Sequence, residues 1–466
     1  MIPLNLQELA LALDATLIGD GQLVIESVTT DTRKVSDNAL FLALVGERFD
    51  GHDFLVQAQQ AGAIALVVSK PVESDLPHLI VEDTKLALGA IASLVADRCQ
   101  TKNVAITGSA GKTTVKEMTA AIIGKHHKVL ATAGNFNNEI GVPLTLLRLT
   151  HQYTHGVMEL GANHQGEIAY TTSLVKPKVA MITNIGSAHL EGFGSEQGIA
   201  NAKSEIFQGL PAQGVAIFDY HNKYAQQWQR KLSDKQVVTW SRQGAAEAQV
   251  RASHIELEQD SSQFVLSIGH ESIDMCLPMA GLHNIDNALA ASAAAYAMGI
   301  GIVEIATALE AGVFVKGRLD AQTLADGLTV IDDTYNANLA SVKAAVDVLT
   351  TCRDEQTALV MGDMGELGGW ARQHHQEAGA YAKDKGVNAL FTLGSLSEVA
   401  QHGYGSQTGH GEHFYEIDAL MAALTEWIGQ QPQPVRMLVK GSRSAAMERV
   451  IERLQQWLRS KEEISC

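Results

Sequence analysis

Along almost the whole chain, short apolar runs alternate with longer segments whose apolar positions recur three and four residues apart. That is the pattern of strands joined by helices that cover a sheet. In the first hundred residues the runs at Leu40 to Leu44, Ala63 to Ser69 and Leu79 to Asp83 predict strands, with a helix in FLVQAQQAGA between the first two. Six further strands are predicted at Val104 to Thr107, Lys128 to Thr132, Gly156 to Leu160, Val179 to Ile185, Val215 to Phe218 and Val237 to Trp240. More hydrophilic strand-like stretches follow, then the small-residue helix GLHNIDNALAASAAAYAMGI. A last alternating section has strands at Leu328 to Tyr335, Ala358 to Met364, Ala389 to Ser395 and Arg436 to Arg443.

This repetition predicts an α/β protein. At roughly 100–200 residues per domain, 466 residues suggest about three domains. The expected division is a small N-terminal α/β domain over 1–100, a central domain with a mainly parallel sheet over 101–315, and a C-terminal Rossmann-like α/β domain over 316–466.

Composition excludes several classes. The chain has 35 Lys and Arg against 52 Asp and Glu, a formal charge of −17, and no basic stripe, so nucleic acid is not an expected partner. The N-terminus lacks a basic region and carries Glu8 and Asp14 within its apolar run, unlike a signal peptide. The longest apolar stretch, Ala288 to Val303, falls short of the roughly 20 residues of a membrane span and is expected to be a buried helix. Cys99, Cys276, Cys352 and Cys466 show no metal or disulfide spacing, so free thiols and a cytoplasmic setting are expected. A monomer is the expected state.

The candidate chemistry centres on NVAITGSAGKTTVKEMTAAIIGKH, from Asn103 to His126. Here an apolar strand breaks into a glycine-rich turn that opens a helix. Gly108, Ser109, Ala110, Gly111, Lys112, Thr113 and Thr114 have the makings of a phosphate loop. Its backbone N–H groups and helix N-terminus would face an anion, Lys112 would add a point charge, and the Thr113 hydroxyl would reach Mg²⁺. Ile106 stands where the common form of this loop has its first glycine, so this is a shorter variant than that of most kinases and GTPases.

Ligands of such sheets lie outside the carboxyl ends of the strands, and several polar residues fall there. Glu159 ends an apolar strand, where a carboxylate needs a metal or a salt bridge. His189 follows the run Val179 to Ile185 and is either a ligand or an ordinary loop residue. Asn135, Asn137 and Asn138 either bind substrate amides or make turns. Lys203 in NAKSEIF has the neighbours of a surface helix lysine. Asn284 and Asn287, three apart on one helix, could read a base edge. Near the N-terminus, Thr30, Asp31, Arg33, Arg48 and the Asp50-Gly51-His52 loop either cradle a diphosphate-sugar or form a polar hairpin.

Taken together, TDTRKVSDNALFLALVGERFDGHDF, TGSAGKTTVKEM, GNFNNEIGVPLTLL, ELGANHQGEIA, TNIGSAHLEGFGS, NAKSEIF, GLHNIDNALAA, GRLD, DDTYNANLAS, GDMGELG and KGSRSAAME resemble the Mur ligases, ATP-dependent amide-forming enzymes of peptidoglycan synthesis. The resemblance is to the branch that adds D-alanyl-D-alanine to UDP-N-acetylmuramoyl-tripeptide through an acyl phosphate. It implies ATP and two Mg²⁺ ions, one held by Thr113 and Glu159 and a second by His189 beside an N-carboxylated Lys203. It further implies Asn287 at adenine, Arg318 at the γ-phosphate and Asp333 at the ribose. Tyr335, Asn336, Lys440, Ser442 and Arg443 are implied around the incoming dipeptide. Leu339 and Gln165 stand where the family often has proline, which touches loop rigidity rather than chemistry.

Three other readings compete: a folylpolyglutamate synthetase, the ligase adding the third amino acid, or, from a different class, an ATP-dependent switch. GDMGELG and DDTYNAN favour the dipeptide branch. Glu159, His189 and Lys203 exceed what a switch requires.

Overall fold

The computed structural model describes the chain except for residues 187–189, 314, 352–353, 406–408, 433 and 466. Among the described residues three large sheets organise the molecule. The first has five strands in the order Thr16–Ile18, His78–Ile80, Ala65–Val68, Ala39–Leu42 and Ser27–Thr29, parallel except for its first pair. Its fully buried strands read as continuous apolar sequence, as expected when both faces are covered.

The central sheet has nine strands. From Val129–Ala131 it runs through His155–Glu159, Lys102–Thr107, Val179–Ile182, Val215–Asp219 and Gln236–Ser241 to Val250–Leu257, all parallel. Ser262–Ile268 and Glu271–Leu277 then extend it as an antiparallel edge. The strand that feeds the glycine-rich turn therefore lies inside the sheet, between the strand ending in Glu159 and the strand preceding Thr183.

The helix Lys112–Gly124 buries Val115, Met118, Ile122 and Ile123 in the same core as the alanines of helix Leu282–Ala297. Small side chains on that second helix let it approach closely, and each buried Ile or Val contributes about 1.5–3 kcal/mol. The apolar stretch from Ala288 is thus a buried helix, and no helix among the described residues is long and apolar enough to cross a membrane.

The third sheet has six strands in the order Asp320–Ala325, Leu328–Asp333, Val435–Lys440, Gln356–Gly362, Ala389–Leu393 and His410–Phe414, parallel after an antiparallel first pair. The strands at Asp320 and His410 were not marked by apolar runs; both are sheet edges without a fully buried residue. The run from Val179 also ends sooner than its apolar length predicts. Thr183 and Asn184 leave the sheet because their side chains bond the glycine-rich turn instead.

Candidate functional site

Two glycines make the turn possible. A Cβ on Gly108 would lie 1.9 Å from Thr183 Oγ1, and one on Gly111, whose φ is +77°, would lie 2.4 Å from Asn287 Oδ1. The turn is held from the neighbouring strand end: Asn184 Oδ1 accepts from Ala110 N at 2.8 Å, and Thr183 Oγ1 donates to Ala110 O at 2.6 Å. Ser109 N donates to Asn184 O at 3.1 Å, and Gly186 N donates to Ser109 Oγ at 2.9 Å. Thr183 and Asn184 are functional-site residues that residue types alone did not flag; the sequence signal was their place at a strand end beside the loop strand.

Lys112 opens the helix and donates to Gly108 O at 2.9 Å. Burial pushes its pKa down, while Glu159 favours its charged form. Thr113 Oγ1 donates to Glu159 Oε2 at 2.9 Å and Asn137 Nδ2 donates to Oε1 at 2.9 Å. A carboxylate only 2% exposed, beside a hydroxyl at the head of the phosphate loop, presents the oxygen donors that a hard cation such as Mg²⁺ prefers. His189 lies outside the described residues.

Lys203 departs from its surface expectation. Helix Glu196–Ser204 turns it inward, where it is 1% exposed, and among the described residues its Nζ has no hydrogen-bond or ion-pair partner. Burial first, and the nearby Lys112 second, drive its pKa well below the lysine range. Both effects disfavour its ammonium form.

Asn284 and Asn287 share a face of helix Leu282–Ala297: Asn287 Nδ2 donates to Asn284 Oδ1 at 3.2 Å, and Asn284 Nδ2 donates to Ala280 O at 2.8 Å. They line a cavity of about 280 Å³ together with Ser109, Gly111, Trp240, Arg318 and Asp333. Lys440 also faces this cavity, paired with Asp333 and donating to Asn336 O at 3.0 Å. It therefore lies on the Asp333 side rather than with Ser442 and Arg443.

A second cavity of about 1010 Å³ adjoins the first and shares Ser109 to Gly111 and Arg318 with it. Lys112, Thr113, Asn135, Asn137, Asn138 and Glu159 form one wall; Tyr335, Asn336, Ser442 and Arg443 form the other. The three asparagines divide their work. Asn137 bonds Glu159, Asn138 Oδ1 accepts from Gly141 N at 2.8 Å to make a turn, and Asn135 O accepts from Asn137 N at 2.8 Å.

Arg318 separates the cavities with its guanidinium 4.4 Å from the Tyr335 ring centroid. Its Nε is buried without a partner among the described residues, as suits a group facing a bound anion. Thr30, Asp31, Arg33 and Arg48 lie apart from both cavities. Asp31 pairs with Arg33 at 2.9 Å, and Asp31 and Thr29 build a local turn.

A phosphate loop, oxygen donors beside it, and a second domain closing an acceptor cavity over both define an ATP-dependent ligase of the three-domain Mur type. The chain matches the Mur ligase middle domain over residues 106–295, the Mur ligase glutamate ligase domain over 317–443 and the Mur ligase family catalytic domain over 24–125. It belongs to the Mur ligase family. Within the family it is 46% identical, over 98% of this chain and 99% of the relative, to UDP-N-acetylmuramoyl-tripeptide--D-alanyl-D-alanine ligase of Escherichia coli K12. The Haemophilus influenzae Rd protein of that name is 42% identical over the whole of both chains. A crystal structure of MurF from Acinetobacter baumannii superposes with a TM-score of 0.93 at 37% identity, covering 98% of this chain and 99% of that one.

Proposed function

We propose that this chain joins D-alanyl-D-alanine to UDP-N-acetylmuramoyl-tripeptide at the expense of ATP, releasing ADP and phosphate, in peptidoglycan synthesis. The observation that carries the reading is the shared wall of the two cavities. Arg318 and the phosphate loop face the nucleotide pocket and the acceptor cavity at once, where a phosphoryl group must pass from ATP to a carboxylate.

A terminal carboxylate oxygen of the tripeptide attacks the γ-phosphorus; the bond from that phosphorus to the ADP oxygen breaks, leaving an acyl phosphate and ADP. The dipeptide amine then adds to the acyl carbon, the bond to the phosphate oxygen breaks, and the amine proton leaves with solvent. Most of the acceleration comes from positioning and charge neutralisation. Backbone N–H groups of Gly111 to Thr114 and the Lys112 ammonium hold the phosphates, while Arg318 meets charge on the group in flight. Asn284 and Asn287 face the base, and Asp333, held by Lys440, faces the ribose. Tyr335, Asn336, Ser442 and Arg443 border the incoming dipeptide, and Thr30, Asp31, Arg33 and Arg48 face the UDP-sugar.

Thr113 and Glu159 would hold Mg²⁺, as would His189 with Lys203 in N-carboxylated form; the metal supplies neutralisation of the triphosphate. Burial of Lys203, which disfavours its ammonium form, supports the carboxylated reading. The unprotonated amine attacks the carbon of CO₂, an N–C bond forms as one C–O π bond opens onto oxygen, the nitrogen gives up a proton to solvent, and a carbamate with an anionic oxygen results.

The test is phosphate release from ATP and Mg²⁺ with UDP-N-acetylmuramoyl-tripeptide present, compared with and without D-alanyl-D-alanine. Release that requires the dipeptide and yields the pentapeptide product is the expected result. Release answering to another amino acid would move the substrate within the family, and release answering to no acceptor would favour a switch.

A further inference from the structure

The C-terminal wall of the acceptor cavity is built from two loops bonded to each other. Ser442 N donates to Asp363 O at 2.9 Å, and Gly365 packs against the Ser442 side chain. The first loop, which continues strand Gln356–Gly362, is fastened at several points. Asp363 Oδ1 accepts from Leu396 N at 3.0 Å and Ser397 N at 2.7 Å, Met364 N donates to His375 Nε2 at 2.9 Å, and Met364 and Leu367 are buried. Between these anchors Glu366 is held at φ +61°, a left-handed conformation that a glutamate adopts only under constraint. Backbone strain of this kind persists where surrounding contacts over-determine it, and it clusters at ligand-binding positions.

Glu366 lines the cavity beside Ser442, Arg443 and Ser444, opposite Lys112 and Glu159. Its charge reaches Lys112 and opposes the effect of burial there. Across the domain junction the same loop meets the central domain: a Cβ on Gly368 would lie 3.4 Å from Glu191. The rim therefore carries a carboxylate at Glu366 and a guanidinium at Arg443, the latter oriented by Glu448 Oε1 at 2.5 Å. The other acids lining the cavity lie on the central-domain wall. These are Glu139, Glu159 and Glu167.

An amino-acid or dipeptide acceptor enters as a zwitterion, with its α-amino group largely protonated at neutral pH. A site that selects it needs a carboxylate for one end and a cation for the other. Resting on the ligase reading above, we infer that Glu366 binds the ammonium end of the incoming dipeptide while Arg443, with the Ser442 and Ser444 hydroxyls, takes its carboxylate. The two charges make the C-terminal loop pair a clamp for a zwitterion and set the acceptor class.

The experiment compares the full-length enzyme with E366Q, E366G, E366D and E139Q, given ATP, Mg²⁺, the UDP-linked tripeptide and varied D-alanyl-D-alanine. E366Q and E366G should raise the dipeptide KM about tenfold or more, as expected for losing a charged hydrogen bond, with E366D retaining part of the affinity. ATP KM and acyl phosphate formed without dipeptide, trapped by borohydride reduction, should change by a smaller factor than the dipeptide KM, because the first step precedes amine binding and feels Glu366 only through its charge on Lys112. Glycine relieves the positive φ, so E366G tests the carboxylate without adding backbone strain. An unchanged dipeptide KM in both E366Q and E366G would overturn the inference, as would equal loss of acyl phosphate formation or a loss confined to E139Q. Failure of the ligase reading itself is separate, since the unmodified enzyme would then make no dipeptide-dependent product.

Discussion

Thr113 Oγ1 donates to Glu159 Oε2 at 2.9 Å, joining the first turn of the helix after the phosphate loop to the end of the neighbouring strand. Replacing Thr113 by alanine leaves the buried Glu159 carboxylate with Asn137 as its remaining side-chain hydrogen-bond donor among the described residues. T113A should lose about 1–3 kcal/mol of stability in a urea titration. It should also lose about a hundredfold in dipeptide-dependent phosphate release. T113S, which keeps the hydroxyl, should retain most of both, and wild-type turnover in T113A would remove this hydroxyl from the ATP machinery.

Lys203 should bind CO₂. Its amine is buried, and burial first and Lys112 second lower its pKa and disfavour the ammonium form. Enzyme equilibrated with ¹³C-bicarbonate should show a carbamate carbon resonance that K203A lacks, and K203A should be nearly inactive. Recovery of K203A activity on adding a short carboxylic acid would support an anionic oxygen at this position; full activity of K203A in CO₂-free buffer would eliminate the role.

Asp333 and Lys440 form a buried ion pair at the ends of two adjacent parallel strands. Removing one member strands the other. K440M should cost about 3–5 kcal/mol, and D333N/K440M should cost less than the sum of its single changes. Denaturation midpoints of the three variants give the coupling, and strict additivity would show that the pair does not act as a unit.

Arg436 Nη2 reaches Asp260 at 2.5 Å, so the tip of the antiparallel extension of the central sheet is tied to the third sheet. Arg436 is 2% exposed, with Glu355 farther off at 3.8 Å. D260A should destabilise the chain by about 1–3 kcal/mol through the guanidinium left under-paired. It should also enlarge the radius of gyration measured by small-angle scattering; an unchanged radius would mean that the domains are held together elsewhere.

His155 supplies a pH dependence of known sign. Burial, then the nearby His127, Lys102 and Lys178, lower its pKa from 6.5 to about 4. The folded protein therefore keeps the imidazole neutral while the unfolded chain takes up a proton. Its contribution to stability is present above pH 6.5 and is lost as the pH falls toward 4. The drop in melting temperature across that window should be smaller in H155Q than in the unmodified protein.

Much of this protein was legible from residue order because the relevant physics is local. Period-two and period-3.6 patterns are set by which face of one segment is buried, so the strands from Val104, Gly156, Leu328 and Arg436 were found close to their true positions. The phosphate loop was legible for the same reason, its glycines, lysine and threonines being contiguous. Edge strands such as His410–Phe414 were missed because a partly exposed, polar strand resembles loop sequence.

What residue order determined by itself was the α/β class, the glycine-rich turn that opens a helix and the polar residues at neighbouring strand ends. Tertiary structure decided the rest, because burial and pairing depend on segments distant in the chain. It turned Lys203 inward against the pattern of its own helix, and it set Asn287 against Gly111. It drew Thr183 and Asn184 out of their strand to hold the turn, and joined Lys440 to Asp333 rather than to Ser442. Glu366, at φ +61°, became visible only because the third domain places it on the cavity that Lys112 also lines.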